Sequence, residues 1–298
     1  MTLPTEAATR KGILLMLAAI LLFTTMDALA KGLIQRYPAP QVIWARFAGQ
    51  FVLVLLILNQ KVGPVLRTRY PVLHLIRSAF QFGATALFFT SLGYIGLAEA
   101  TALTDINPVL ITLGAAVFLG ERLGPRRIAG VLFAMIGAMI VIRPGLSVFT
   151  PAALLPLACA VCYAGNALIT RKVGPTESPW TSMIYASAFG TALTTLALPT
   201  VWQPIAPADW ALFAAVGCLG TAAQLCLIRS FSMAEASVVA PFGYIGLVTA
   251  TCWGIVLYGE YPDALTILGA SIIVGAGLYI WHRETQAKSV QPGRGQDL

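Results

Sequence analysis

LAEATALTDINPVLITLGAAVFLGERLGPRRIAG, residues 97–130, is the stretch on which the reading of this chain turns. An apolar helical run is interrupted at Asp105-Ile106-Asn107-Pro108, resumes, and stops at Gly120-Glu121-Arg122 before a basic turn. Proline has no N–H and clashes with the carbonyl four residues back, so Pro108 breaks the helix. Residues 233–270, MAEASVVAPFGYIGLVTATCWGIVLYGEYPDALTILGA, repeat the plan. Ala98-Glu99-Ala100 matches Ala234-Glu235-Ala236, Gly120-Glu121 matches Gly259-Glu260, Gly130 matches Gly269, and Pro241 supplies the second break. The chain therefore reads as two similar halves, each with a broken helix near its far end. In apolar chains this pattern points to a transporter whose site lies between the halves.

Composition sets the compartment. Of 298 residues, 58% are hydrophobic and 10% charged, against about 25% charged in a soluble domain. Such a chain cannot coat itself with polar surface, and a bilayer is expected as its partner. The net charge of +7 does not signal nucleic acid, because the basic residues form no stripe with interleaved aromatics. Arg10 and Lys11 lead into an apolar run with no small-residue cleavage site, so this run is expected to be kept as a helix. The five cysteines all fall in apolar spans. Cys159 and Cys162 form a C-x-x-C with no second pair or nearby histidine, which favours packing over metal or redox chemistry. No cofactor is expected.

Crossing the hydrocarbon takes about 20 apolar residues. Ten runs qualify or come near: 13–30, 42–58, 72–92, 98–119, 128–142, 152–170, 179–198, 210–228, 236–258 and 264–281. The expected fold is an all-α integral membrane protein of ten transmembrane helices, in two inverted five-helix repeats around a central cavity. The expected division is an N-terminal segment 1–11, a first repeat 12–143, a second 144–282, and a polar, disordered tail 283–298. With the N-terminus cytoplasmic, all but four of the 19 Lys and Arg fall on the cytoplasmic side, the exceptions being Lys31, Arg36, Arg46 and Arg143. Both termini are then cytoplasmic, and a five-span half makes the second repeat enter from the opposite side.

The motifs also resemble a known family. Trp44-Ala45-Arg46-Phe47, Asn107-Pro108-Val109, Leu119-Gly120-Glu121-Arg122 and Ile128-Ala129-Gly130, with the weaker copy Gly259-Glu260, are similar to the drug/metabolite transporter superfamily and its EamA-type ten-helix exporters. Tyr261-Pro262-Asp263 stands where the basic turn would recur. The resemblance implies a basket of helices one to four and six to nine around a cavity, with the fifth and tenth packed aside. It also implies export of amino acids or related metabolites from the bacterial inner membrane. Small residues agree on the packing: Gly130, Ala134 and Ala138 on the fifth helix and Ser271 and Gly275 on the tenth let backbones approach.

Ionisable groups in lipid cost at least about 2.5–3.5 kcal/mol each, so they need a partner or water. Asp27 and Lys31 stand at i, i+4 and can pair. Arg46 enters the second span from the same side and can also reach Asp27. Asp105 and Asn107 occupy the first break, and Tyr244 follows the second. Gln81, Asn166 and Gln224 are intramembrane amides that either bind solute or join helices. Tyr163 belongs to a group of aromatics, with Trp44, Phe80, Tyr185 and Trp253, that can wall a pocket or simply pack. Glu121 and Arg122 cap or gate the end of the fourth span. His74 and His282 fall near interfaces, which removes them as proton relays.

The function expected is secondary transport by alternating access, with Arg46 and Asp105 complementing a zwitterion and Asp27 or Asp105 available for proton coupling; facilitated diffusion fits equally. The alternatives are a larger solute (vitamin, nucleotide derivative or drug) and, furthest from the residues, an intramembrane enzyme. The expected partners are a small solute and the bilayer, without nucleic acid, in a monomer or weak homodimer.

Overall fold

The computed structural model describes residues 6–119, 125–143, 150–173, 177–233 and 240–289. Among the described residues twelve α-helices follow one another: α1 (Glu6–Ile34), α2 (Ala39–Leu58), α3 (Val62–Leu66), α4 (Pro71–Leu92), α5 (Leu97–Thr104), α6 (Asn107–Leu119), α7 (Pro125–Ile142), α8 (Leu154–Val173), α9 (Pro179–Val201), α10 (Trp210–Met233), α11 (Ile245–Tyr258) and α12 (Ala264–Ser289). No strand occurs among the described residues. Proline in the first turn opens α2, α4 and α9, where its missing N–H would have had no helical partner anyway. Gly259, at φ 64°, closes α11 in the left-handed conformation.

Six of these helices (α1, α2, α4, α8, α9 and α10) are long and apolar enough to cross a membrane. Shorter apolar helices span 128–142, 242–258 and 264–279. The fourth expected span is split: α5 ends at Thr104, Asp105 and Ile106 form a turn, and α6 restarts at Asn107. In the second half a 3-10 turn, Ala240–Tyr244, precedes α11. Thus both proline-marked segments depart from continuous α-helix. Two ends differ from expectation. The polar tail, expected to be disordered from residue 283, begins as helix, since α12 continues to Ser289. The loop between the second and third spans holds the short α3.

Packing follows the two halves. α1 lies along α10 as α8 lies along α4; α2 meets α10 as α9 meets α4; α1 meets α11 as α8 meets α6. The pairs α2–α9 and α7–α12 map onto themselves. Exchange of the halves therefore reproduces the most extensive helix pairs, as two repeats of one plan require. This is an all-α membrane protein.

Glycine permits the closest crossings. A Cβ on Gly49 would stand 2.7 Å from the Gly217 Cα, so α2 and α10 touch backbone to backbone. A Cβ on Gly137 would stand 2.8 Å from the Gly269 carbonyl oxygen where α7 crosses α12. These two helices pair at one edge of the bundle, with Ala134, Ala138, Ile273 and Ala276 in a shared core. The small residues expected on the tenth helix are not the ones used: Ser271 is exposed and Gly275 faces open space. The contact surface passes through Gly269, Ile273 and Ala276, on the other side of the helix. The main core, between α1, α2, α4, α5 and α10, is filled by Leu33, Phe47, Phe89, Leu92 and Leu97.

Candidate functional site

The interior polar cluster is built on α1, α2 and α8. Arg46 projects from the eighth position of α2 and is 5% exposed. Its Nη1 donates to Gln50 Oε1 at 2.5 Å, one turn along the same helix. The guanidinium lies against Gly220 of α10, where an added Cβ would land on Nε. Glycine is therefore what makes room for it. Asp27 of α1 and the Tyr163 hydroxyl of α8 lie within electrostatic reach of this guanidinium. Both are half-buried and heavily surrounded by protein, so they belong to the interior of the bundle.

A second group sits at the breaks. Asp105 Oδ2, Asn107 Oδ1 and the Tyr244 hydroxyl are buried atoms with no hydrogen-bond partner among the described residues. Tyr244 and Asp105 lie within electrostatic reach of one another, so the interrupted segments of the two halves converge. Nearby, Asn166 Nδ2 of α8 donates to Gln81 Oε1 of α4 at 2.9 Å, leaving Asn166 Oδ1 unpartnered. Gln224 of α10 is half-buried and has no side-chain hydrogen bond among the described residues. Unpaired buried polar atoms are costly, at about 1–3 kcal/mol each. Four of them on the interior helices are candidates for contact with a solute or water.

One pairing differs from the sequence reading. Lys31 does not pair with Asp27. Its Nζ lies 2.5 Å from Glu260 Oε1 and 2.7 Å from the Ile95 carbonyl oxygen, with the Tyr258 ring centroid 5.6 Å away. The i, i+4 relation makes the two side chains neighbours, but a carboxylate arriving from α11 offers a nearer partner. Lys31 therefore ties α1 to α11, and not α1 to α2. The Tyr258 hydroxyl donates to the Ala28 carbonyl oxygen in the same joint, and Leu97 N–H donates to Glu260 Oε2 at 2.9 Å. Arg46 lies within electrostatic reach of Asp27, as its entry from the same side allowed, while Asp105 lies within reach of Tyr244 at the second break.

Further charged groups close the ends. At the Lys31 end, Arg36 Nη1 and the Tyr37 hydroxyl each donate to Asp209 at 2.7 Å. Arg143 donates to Asp263 and, at 3.2 Å, to Thr266. That contact holds the Asp263 carboxyl well below the usual range. At the opposite end, Arg77 Nε donates to Thr170 Oγ1 at 2.7 Å and Nη1 to the Ser182 carbonyl oxygen at 3.2 Å. His74 is fully buried, with Nε2 3.7 Å from Glu177; the Arg69 backbone N–H donates to Glu177 and holds its carboxyl below the usual range. Of the aromatics, Trp44 donates to Thr195 and stands edge-on to Trp202, Phe80 covers Gly165, and Tyr185 donates to the Leu66 carbonyl oxygen. Each of these packs or anchors. Trp253 is half-buried against the main core. Glu121 and Arg122 lie outside the described residues. No group of three metal-ligating side chains occurs among the described residues, and the five cysteines are free.

Sequence reasoning missed Gln50, Gly220 and Glu260. Gln50 stands one turn from Arg46, a spacing that signals contact on a helix. Glu260 was visible as the second copy of the Gly-Glu motif. Gly220 carried no signal, since only the approach of α2 to α10 gives it a role. The offset that carries Gly120-Glu121 onto Gly259-Glu260 also carries Asp27 onto Asn166 and Gln81 onto Gly220. The charged contact at the α1–α10 crossing therefore stands where the equivalent α4–α8 crossing has an amide pair.

Comparison with known proteins agrees with this architecture. A model of the EamA-like transporter family matches twice, over residues 10–143 and 150–281. The chain is 32% identical to the pseudopaline exporter CntI of Pseudomonas aeruginosa over 273 residues, covering 90% of this chain and 94% of the relative. It is 30% identical to a riboflavin transporter of Rhizobium johnstonii over 276 residues, covering 92% and 91%. It is 27% identical to an S-adenosylmethionine uptake transporter of Rickettsia bellii over 264 residues, covering 88% and 90%. One solved crystal structure superposes with a TM-score of 0.64 at 22% identity, covering 94% of this chain and 98% of that one, which speaks to the fold alone. The chain belongs to the EamA-like transporter family.

Proposed function

We propose that the chain is a secondary transporter that exports amino acids or related small metabolites across the bacterial inner membrane by alternating access. The observation that carries this is the enclosed set of Arg46, Asp27 and Tyr163, continued by the unpartnered atoms of Asp105, Asn107 and Tyr244. It lies between the two halves and offers a cation, carboxylates and neutral acceptors to one solute. An α-carboxylate would face Arg46, and an ammonium group would face Asp27 or Asp105. Gln81 and Asn166, already bonded to each other, would join helices; Gln224 remains available to a solute. The first repeat is assigned to 12–143 and the second to 144–282, in opposite orientations, with both termini cytoplasmic. The Lys31 end is then external, and Lys31–Glu260 closes the interior from outside. Asp27 and Asp105 are the groups available for proton coupling.

Relatives named for riboflavin and S-adenosylmethionine favour a second reading, a larger heteroaromatic solute walled by Tyr163 and Tyr244. One experiment separates the two. Purified protein in liposomes is challenged with labelled amino acids, riboflavin and S-adenosylmethionine, with and without a pH gradient. Flux of a zwitterionic metabolite that is lost in Arg46→Ala and Asp105→Asn, with both variants folded, supports the first reading. Flux confined to the larger solutes, or full rates in both variants, overturns it.

A further inference from the structure

We propose that the loop between α2 and α4 forms a binding site for an anionic phospholipid, with the headgroup phosphate in a cleft beside Arg67 and Arg69. Residues 59–70 join two membrane-length helices, α2 and α4, so α3 and its flanks lie at the level of the lipid headgroups. A cleft of about 460 Å³ opens there, lined by Val65, Arg67, Thr68 and Arg69 on one side and Ser178 and Thr181 on the other.

The cations around it outnumber the acid. Lys61, Arg67 and Arg69 are exposed, and no side-chain ion pair within 4 Å claims any of them among the described residues. Elsewhere several cations are engaged: Lys31 by Glu260, Arg36 by Asp209, Arg143 by Asp263, Arg77 by Thr170. The acid in the cleft, Glu177, lies within electrostatic reach of Arg69 and offsets at most one of these charges. Its carboxylate is turned inward, accepting from Arg69 N–H at 3.0 Å and facing His74, with 7% of its side chain exposed.

The apolar surroundings match the rest of a lipid. Leu66 and Tyr70 are exposed beside the cleft. From there Val72, Leu75, Ile76 and Ala79 run down α4 as one exposed face, at the spacing of a helical stripe. Phosphate between two guanidinium groups, with acyl chain along this stripe, satisfies both surfaces at once. A free anion would satisfy only the first.

The test is native mass spectrometry of the full chain released from nanodiscs. The nanodiscs contain phosphatidylcholine with or without phosphatidylglycerol. The wild type is expected to retain phosphatidylglycerol at least fivefold over phosphatidylcholine, and Arg67→Gln with Arg69→Gln to lose that preference. Lys172→Gln with Arg229→Gln, outside the cleft, is expected to keep it. Melting temperature in the same nanodiscs reports that each variant is folded. Equal retention of the two lipids by the wild type, or unchanged preference in the Arg67 and Arg69 variant, overturns the proposal. So does displacement of the lipid by millimolar inorganic phosphate, which would make the cleft a site for a soluble anion.

Discussion

Glu260→Gln is the most informative single change, because it removes one partner of a nearly buried lysine. Lys31 is 3% exposed and the Glu260 side chain 30%. Breaking a fully buried pair costs about 3–5 kcal/mol, since the remaining charge is stranded. Here Lys31 keeps the Ile95 carbonyl and Glu260 already meets solvent, so about 2–3 kcal/mol is the appropriate range. If that energy holds the Lys31 end closed, its loss shifts the closed-to-open equilibrium roughly 30- to 140-fold, at about 1.4 kcal/mol per tenfold. Cys162 of α8, half-buried in the interior, reports the opening once the other four cysteines are replaced by alanine. A membrane-impermeant maleimide applied from the Lys31 end should label it at least tenfold faster in Glu260→Gln. Lys31→Met with Glu260→Met strands no charge and should melt higher than Glu260→Gln alone. A labelling rate within twofold of the parent, in a folded protein, would refute the idea that this pair restrains the end.

Gly220→Ala should drive the Arg46 guanidinium from its seat against α10; we expect a KM for the transported solute at least tenfold higher, with expression and melting temperature little changed. Gly49→Val should force α2 from α10, because the neighbour at 2.7 Å is backbone and cannot yield; a large drop in melting temperature and in folded yield is expected. Glu177 is held below its usual carboxyl range by Arg69 N–H. Its contribution to stability is therefore present above the unfolded value, about pH 4.5, and is lost as pH falls through the lower, folded one. Glu177→Gln should reduce the loss of melting temperature on acidification from pH 6 to pH 4 relative to wild type.

Much of the fold could be read from residue pattern. Apolar length located the spans, and Pro108 with its Asp-Ile-Asn neighbours placed the break within a residue or two of the Asp105–Ile106 turn. The repeated Gly-Glu and Ala-Glu-Ala pairs showed two halves because backbone plan survives in small residues and helix ends. Partner choice was less legible. Lys31 is near Asp27 along the chain but nearer Glu260 in space, and sequence spacing reports only neighbours on one helix. Gly275 and Ser271 looked like a packing face from spacing alone, yet α12 presents Gly269 and Ile273 to α7. Rotation about a helix axis is set by the neighbouring helix, and a helix apolar all round does not announce it. The burial of His74 was hidden for a related reason: it follows from Glu177 and Tyr185, which arrive from distant parts of the chain.

The mismatch between Asp27 and its counterpart Asn166 has a directional meaning. Turn the backbone half-way round and helix falls on helix, but full charges fall on a neutral amide pair. The interior is thus an electrical arrow inside a nearly two-fold container. A dipolar passenger has one favoured heading there, with its ionic end toward α1 and α2. Rocking the walls does not reverse that heading, so the cargo would leave facing the way it rode.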